Sequence, residues 1–429
     1  MHAATEELNA RHSRLRGSAY TYHTLPWATP IASSCPMATV VRDGQVALAL
    51  RLARHLLPGA DGDLGSNVAF SPLSVHASLA LVAAGARGDT LHQLHDFLGA
   101  PWPSDDLAKF SARVAEDVVA DRSASGGPKV LLGSGVWVDA SRGELRQAFR
   151  DAAAGAYRAE AVTVDFQNEP EDAAKKINDF IKRATENHVE ESVISADDTR
   201  RAETDIVLAN AVYFSGQWPV RMFHPWKTKP APFYRLDGSC VDADFMVSDE
   251  HHYAKAMDGF KVLRIPYRQD KNTEYCMCIF LPDARDGISD MVDAITAHPG
   301  VLRDAMPKER GMTAVKPPKF KVSYECHLDK VLPEMGLRLP FSREAADLRG
   351  MVEADGKDPS RPAFLSGMVS KAVVEVNEEG TEASAFTMAL RGGGDPPPEF
   401  VADHPFTFFI VEERSGVVVF AGHVLDATV

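Results

Sequence analysis

Cysteine and histidine are common metal ligands, and this chain has a close pair of each. Cys276 and Cys278 lie in the apolar run EYCMCIFL, and His251 and His252 are adjacent. Side chains at i and i+2 of a β-strand point to one face, and buried thiols of this kind are more typical of core packing than of metal binding. The histidines lack a ligand spacing such as H-E-x-x-H, which favours satisfied or solvated side chains. We therefore expect no metal and no other cofactor.

The sequence also lacks the short motifs that carry enzyme chemistry. It contains no nucleophile elbow, P-loop or dinucleotide-binding pattern. The run GGGD, which ends at Asp395, is not followed by the Lys-Ser/Thr of a phosphate-binding loop, so we interpret it as a flexible loop. Arg87-Gly88-Asp89 spells an integrin-like tripeptide, but a helix end followed by a helix cap explains it without a receptor. We do not expect an enzyme.

One segment has the pattern of a strand that is able to join an existing sheet. It runs from Asn377 to Phe406 and reads NEEGTEASAFTMALRGGGDPPPEFVADHPF. Gly380 supplies the backbone freedom of a hinge, and no proline interrupts the segment before Pro396. Such a segment needs little volume over a packed core, because one face of the strand would carry only small residues. These residues are Thr381, Ala383, Ala385, Thr387 and Ala389.

Length and composition indicate a globular protein with an acidic surface. The 429 residues are 45% hydrophobic and 25% charged, and the net charge is −14. We find no Lys/Arg stripe that would track nucleic acid, and apolar runs such as ASLALVAAGA are far shorter than the roughly 20 residues of a membrane span. We therefore expect neither nucleic acid nor membrane as a partner. Five cysteines are an odd number, which argues against a disulfide framework.

The order of the predicted elements indicates an α+β fold. Helical periodicity dominates from Val46 to Gly99, with Ser71 and Pro72 at the start of one helix, and strand-like runs dominate later. The last two strands are joined by a predicted hairpin turn at Arg414–Gly416. Residues 1–36 show no signal-peptide pattern, and we expect a disordered extension there, with an organelle transit peptide as the minor alternative. We expect a single domain over residues 37–429.

Several of these segments resemble the serpin family, and in particular its plant Z-type branch. NEEGTEASA resembles the family's loop hinge, and FVADHPFTFFI with GVVVFAGHV resembles its C-terminal signature. NVAFSPLSVHASLALVAAGARGDTLHQL, ANAVYFSGQW, GFKVLRIPY and PKFKVSYE resemble further family blocks in the expected order. The resemblance extends from about Val40 to Asp426.

The resemblance implies a fold of nine or so helices and three sheets, with an exposed reactive-centre loop at about residues 378–400. It also implies a suicide inhibitor: a target protease cleaves the loop, is held as a covalent acyl complex, and is carried along as the loop inserts into the central sheet. We expect a monomer that acts on trypsin-like serine or papain-like cysteine proteases, in the cytoplasm or the apoplast. The implied hinge residues are Glu378, Glu379, Gly380, Thr381, Glu382, Ala383, Ser384 and Ala385.

The scissile bond is predicted from the pair Leu390-Arg391, which resembles the Leu-Arg pair of many plant serpin loops. This places the bond at Arg391–Gly392, where an arginine side chain would suit a carboxylate-lined specificity pocket. The family usually cleaves fourteen positions after the hinge glycine, whereas Arg391 is eleven positions after Gly380. The alternative bond, Gly394–Asp395, keeps the usual count but offers the pocket no side chain.

A polar network beneath the central sheet is implied by the same resemblance. Ser71, Ser74 and Asn210 match its usual positions, and Ser370 stands where the family usually has histidine. Buried networks weaken when one member is unpaired, so this replacement is expected to alter stability and the barrier to insertion. The short loop and Ser370 together favour the alternative function, a non-inhibitory serpin with a binding, storage or chaperone-like role.

Overall fold

The computed structural model describes residues 36–58, 66–103, 105–189, 192–199, 204–219, 222–298, 300–353, 362–378 and 399–428. Within these ranges the chain forms ten α-helices and four β-sheets, which confirms the α+β class. The predicted N-terminal extension lies outside the described residues, apart from Pro36, with which the first helix begins. The single-domain boundary at residue 37 stays a prediction.

Most of the helices precede the main run of strands, as the sequence predicts. The second helix begins where expected, since the side chain of Ser71 accepts a hydrogen bond from the backbone N–H of Ser74 and Pro72 occupies the first turn. The third ends at Gly99, which has a left-handed φ of 63°. The helices are α1 Pro36–His55, α2 Pro72–Gly85, α3 Gly88–Leu98, α4 Asp106–Asp117, α5 Gln147–Ala156, α6 Pro170–Ala184, α7 Ala196–Thr199, α8 Ile288–Thr296, α9 Val301–Ala305 and α10 Leu328–Glu334.

Sixteen strands are present in the described part of the chain. They are β1 Val68–Phe70, β2 Lys129–Asp139, β3 Glu160–Val164, β4 Ile206–Ser215, β5 Lys229–Tyr234, β6 Cys240–Phe245, β7 His251–Ala256, β8 Phe260–Pro266, β9 Tyr275–Pro282, β10 Gly311–Met312, β11 Ala314–Lys316, β12 Phe320–His327, β13 Leu365–Val376, β14 Glu399–Val401, β15 Phe406–Glu412 and β16 Val417–Val424.

The strands form two large sheets and two small ones. One large sheet has seven strands in the order β1-β16-β15-β9-β8-β7-β10, and the other has five in the order β12-β13-β4-β2-β3. The small sheets pair β5 with β6 and β11 with β14. A bridge between Ser248 and Val315 joins the region after β6 to β11, so the two small sheets lie side by side where the resemblance implied one.

The five-stranded sheet forms a layer between two apolar cores. Its inner face packs with α2 and β16 in the main core, which includes Leu208, Val212 and Phe214 of β4. Its outer face carries a smaller core in which Ile177 and Ile181 of α6 pack over residues of β2, β4 and β13. Because the main core covers the inner face, an added strand is able to place only small side chains on that face without moving its neighbours. None of the described helices combines the length and apolar character that crossing a membrane requires.

Candidate strand-insertion site

The seam between β4 and β13 is the candidate place for another strand to join the five-stranded sheet. The two strands pair in parallel, with register partners from Leu365 and Ile206 to Val374 and Phe214. A chain that leaves the end of β13 and folds back would run antiparallel to both strands, a direction that permits ladder hydrogen bonds on each side. The predicted loop begins at that end of β13, two residues after Val376.

Most of the predicted loop lies outside the described residues. This applies to the hinge from Glu379 to Ala385, to Leu390, and to both candidate bonds, Arg391–Gly392 and Gly394–Asp395. Of the predicted hinge, Glu378 is described, and the chain is described again from Glu399, where β14 begins. The assignments of the hinge and of the scissile bond therefore stay predictions.

The entry to the hinge is fastened to three neighbouring segments. Thr228 Oγ1 donates a hydrogen bond of 2.7 Å to Glu378 Oε1, and Lys319 Nζ lies 3.0 Å from the Oε2 atom of Glu378. The indole N–H of Trp218 donates a 2.7 Å hydrogen bond to the carbonyl oxygen of Asn377. Partial burial acts to raise the pKa of Glu378, but the hydrogen bond from Thr228 and the ion pair with Lys319 outweigh it and hold the pKa below its usual value. Insertion of the loop has to break these contacts.

A second group of contacts lies beneath the seam and joins its two strands through side chains. Ser370 and Asn210 are register partners, and Ser370 Oγ donates a 2.7 Å hydrogen bond to Asn210 Oδ1. Asn210 Nδ2 donates to Ser78 Oγ of α2 at 3.2 Å, and this hydroxyl lies 3.4 Å from that of Ser134 in β2. All four side chains are buried. The serine at position 370 therefore takes part in a bonded network that ties both strands of the seam to α2 and β2.

The other two predicted network residues form a separate pair at the start of α2. Ser71 Oγ donates a 2.7 Å hydrogen bond to the carbonyl oxygen of Val419 in β16, and Ser74 Oγ donates at 3.0 Å to the carbonyl oxygen of Ser71. The structure thus brings Ser71 together with Ser74 and Asn210 together with Ser370. Sequence reasoning missed Ser78, although its spacing from Ser71 and Ser74 places the three on one helix face.

The outer side of the seam is covered by the segment that follows α6. The ring of His188 stacks on that of Tyr213 in β4, with centroids 3.9 Å apart and planes 3° from parallel. The preceding residues Glu186 and Asn187 hold left-handed φ angles of 49° and 63°, which cost energy for residues with a side chain. Glu186 also forms an ion pair with Lys129 of β2. A strand that enters the seam has to lift this segment away from β4.

Comparison with known proteins decides the family. A family model described as Serpin (serine protease inhibitor) matches residues 43–427. The chain belongs to the serpin family. This family is one of protease inhibitors and not of catalytic enzymes. This confirms the resemblance to the serpin family.

Plant relatives narrow the placement to Z-type serpins. Putative serpin-Z5 of Oryza sativa subsp. japonica is 44% identical over 92% of this chain and 91% of the relative. Probable non-inhibitory serpin-Z9 of the same plant is 39% identical over 94% of this chain and 88% of the relative. The solved native stressed conformation of Arabidopsis AtSerpin1 is 35% identical, covers 91% of this chain and 98% of its own, and gives a TM-score of 0.82.

The buried network of this serpin leads to a prediction about stability. Ser370→Ala removes the donor to Asn210 Oδ1 and leaves that oxygen buried without this hydrogen bond, which costs about 1–3 kcal/mol of the free energy of unfolding of the native form. Urea unfolding followed by tryptophan fluorescence measures the loss. The matched control is Ser323→Ala on β12, because Ser323 is exposed and its removal should change stability by less than about 0.5 kcal/mol. Equal effects of the two substitutions would contradict the role of the network.

Proposed function

We propose that this serpin is a suicide inhibitor of endopeptidases that is cleaved between Arg391 and Gly392. The observation that carries the proposal is the direct parallel pairing of β4 and β13, at a seam whose second strand continues into a proline-free run of small residues. The nucleophile of the protease attacks the carbonyl carbon of Arg391, the amine of Gly392 leaves, and an acyl-enzyme forms. The catalytic groups belong to the protease. This chain supplies the bait, which is the residue Arg391 that enters the specificity pocket, and the conformational change that follows cleavage.

Insertion of the freed loop would open the seam and break the contacts that now close it. Neighbouring strands lie about 4.7–4.9 Å apart, so a new strand between β4 and β13 roughly doubles their separation. The 2.7 Å bond between Ser370 and Asn210 and the fastening of Glu378 are lost at that point. Ladder hydrogen bonds along both edges of the new strand replace them. In this mechanism the buried network and the hinge contacts together set the barrier that keeps the native form in place.

The length of the loop determines how far the acylated protease is carried. Eleven residues after Gly380 span ~36 Å as a strand, whereas the usual fourteen span ~46 Å. A protease bound to Arg391 therefore travels about 10 Å less and is distorted less before its ester or thioester is hydrolysed. We expect a measurable fraction of cleaved, uncomplexed serpin beside the covalent complex. A bond at Gly394–Asp395 would restore the usual distance.

The second candidate function is that of a non-inhibitory serpin. It is favoured by the short loop and by the serine at position 370, and serpin-Z9, a relative named as probable non-inhibitory, is 39% identical to this chain. In this case the loop is cleaved as an ordinary substrate and the chain acts by binding, as a store or as a chaperone-like protein. For either function we propose a monomer located in the cytoplasm or the apoplast, with a trypsin-like or a papain-like protease as the partner that cleaves the loop.

The deciding experiment mixes the full chain with trypsin and, separately, with a papain-like protease. Denaturing gels and intact-mass measurement identify the products. We expect a covalent complex that survives denaturation, together with a released peptide that begins at Gly392 and ends at Val429. A peptide that begins at Asp395 would move the bait to Gly394. Complete cleavage without any covalent complex, with both proteases and over a range of ratios, would overturn the inhibitor proposal in favour of the non-inhibitory one.

A further inference from the structure

Three sulfur atoms lie together in the seven-stranded sheet, away from the seam. Cys276 Sγ and Cys278 Sγ are 3.5 Å apart, and Cys278 Sγ lies 3.2 Å from the thioether sulfur of Met306. Both cysteines are fully buried and Met306 is 9% exposed. Together Cys276, Cys278 and Met306 are called the sulfur cluster below. The sequence pattern of two core thiols does not include Met306, which is far from them in the chain.

The fold holds the sulfur cluster in place through two elements. Cys276 and Cys278 sit on β9, which pairs with β8 on one side and β15 on the other, so their backbone is fixed by ladders on both edges. Met306 follows α9 directly and has an extended backbone conformation that ends this helix. The three sulfurs are therefore preorganised, which lowers the cost of bringing ligands together around an ion.

We propose that the sulfur cluster is a binding site for a soft d10 metal ion, Cu(I). Thiolate and thioether sulfurs are soft ligands, and among the first-row metal ions they favour Cu(I). Two sulfurs bound to one ion at about 2.3 Å in tetrahedral geometry lie roughly 3.8 Å apart, so the observed separations need only a few tenths of an ångström of adjustment. The site is distinct from the reactive loop and does not depend on the proposed inhibitory function.

Binding of Cu(I) changes the net charge of the sulfur cluster. Each cysteine loses one proton to solvent, one Cu(I) is gained, and the site therefore becomes more negative by one unit. The guanidinium of Arg264 stands beside the thiols, since Arg264 is the register partner of Cys278 on β8. It forms a two-point ion pair with Glu413, with bonds of 2.7 Å and 2.6 Å. Because Glu413 already neutralises this cation, the two thiolates are stabilised by their bonds to Cu(I) itself.

A cavity lies beside the sulfur cluster. Cys276 and Met306 line a cavity of about 380 Å³, whose wall also includes Pro307 and Lys308. The cavity is far larger than a single ion needs, and Met306, which ends α9, is part of its wall. A disulfide between the thiols is a poorer alternative, because Cα atoms two apart in an extended strand lie about 6.7 Å from each other, at the limit for a disulfide.

The test is a competition titration of the full chain under reducing, oxygen-free conditions. Cu(I) is supplied as its complex with a coloured chelator, and transfer to the protein is followed by the loss of that colour. The exposed Cys240, and Cys35 near the start of the sequence, are first replaced by serine to remove binding by thiols outside the sulfur cluster. We expect one equivalent of Cu(I) to be bound in this background, and a higher unfolding temperature in its presence.

Variants of the sulfur cluster decide whether it is the site. Cys276→Ala with Cys278→Ala should abolish binding, and Met306→Leu, which conserves volume and so keeps the fold, should weaken it at least tenfold. Cys326→Ala is the matched control, since Cys326 is a buried free thiol in the five-stranded sheet, and it should leave binding unchanged. Binding that survives in the double alanine variant, or that is equally weakened by Cys326→Ala, would overturn the proposal. So would a chain that takes no Cu(I) from the chelator at any concentration.

Discussion

Arg391→Ala abolishes covalent complex formation with trypsin and lowers the second-order rate of inhibition by at least about 100-fold. The reason is that the buried carboxylate in the specificity pocket of the protease loses its charged partner, and a site built for such a partner discriminates strongly against its absence. Rates of inhibition are measured from progress curves with increasing concentrations of the serpin. The urea midpoint should not change, because the fold does not depend on the bait side chain.

Arg391→Lys is the matched control for this result. Lysine keeps the positive charge that a trypsin-like pocket accepts, so this variant should still form the complex, with a rate between those of the two others. Inhibition that is unchanged by Arg391→Ala would remove Arg391 from its proposed role. In that case the mass of the released peptide identifies the bond that is cleaved instead, with Gly394–Asp395 as the first candidate.

Thr381→Glu converts the inhibitor into a substrate. Thr381 belongs to the small-residue face of the predicted strand, so a carboxylate there would have to be buried beneath the seam on insertion without a partner, which costs several kcal/mol. Slow insertion gives the protease time to hydrolyse the acyl bond and leave. Gels should show cleaved serpin in place of the covalent complex, and a glutamate adds no new site for trypsin.

The matched control for Thr381→Glu puts the same charge on the opposite face. Ser384 alternates with the small residues in the strand pattern, so the carboxylate of Ser384→Glu would point away from the main core. This variant should retain most of the complex formation. The prediction fails if both substitutions abolish the complex or if neither does. In either case the two faces of the inserted loop would not differ, and insertion of this segment as a strand would be contradicted.

Features determined by neighbouring residues could be predicted from the sequence. The cap of α2 at Ser71 and Pro72, the end of α3 at Gly99, and the hairpin between β15 and β16 were all predicted and are all present. Each depends on a few consecutive residues whose backbone preferences and side-chain hydrogen bonds act locally. The motifs of the loop and of the C-terminus identified the family in the same way, because each motif is short and the motifs occur in the expected order.

Contacts between distant segments could not be predicted in this way. The bond from Ser370 to Asn210 joins residues 160 positions apart, and Thr228 meets Glu378 across 150 positions. Cys278 meets Met306 across 28 positions, and no short-range pattern connects the thiols of β9 with the residue that ends α9.

By itself, the sequence determined the class of fold and the family, and it predicted a reactive loop with a hinge, a bait residue and an unusual length. The tertiary structure alone decided how the polar side chains beneath the seam are bonded to one another and to Ser78, which residues hold Glu378, and which third sulfur joins the two cysteines. The physical reason is that local preferences act between near neighbours in the chain, whereas packing and register bring together side chains whose separation along the chain carries no signal.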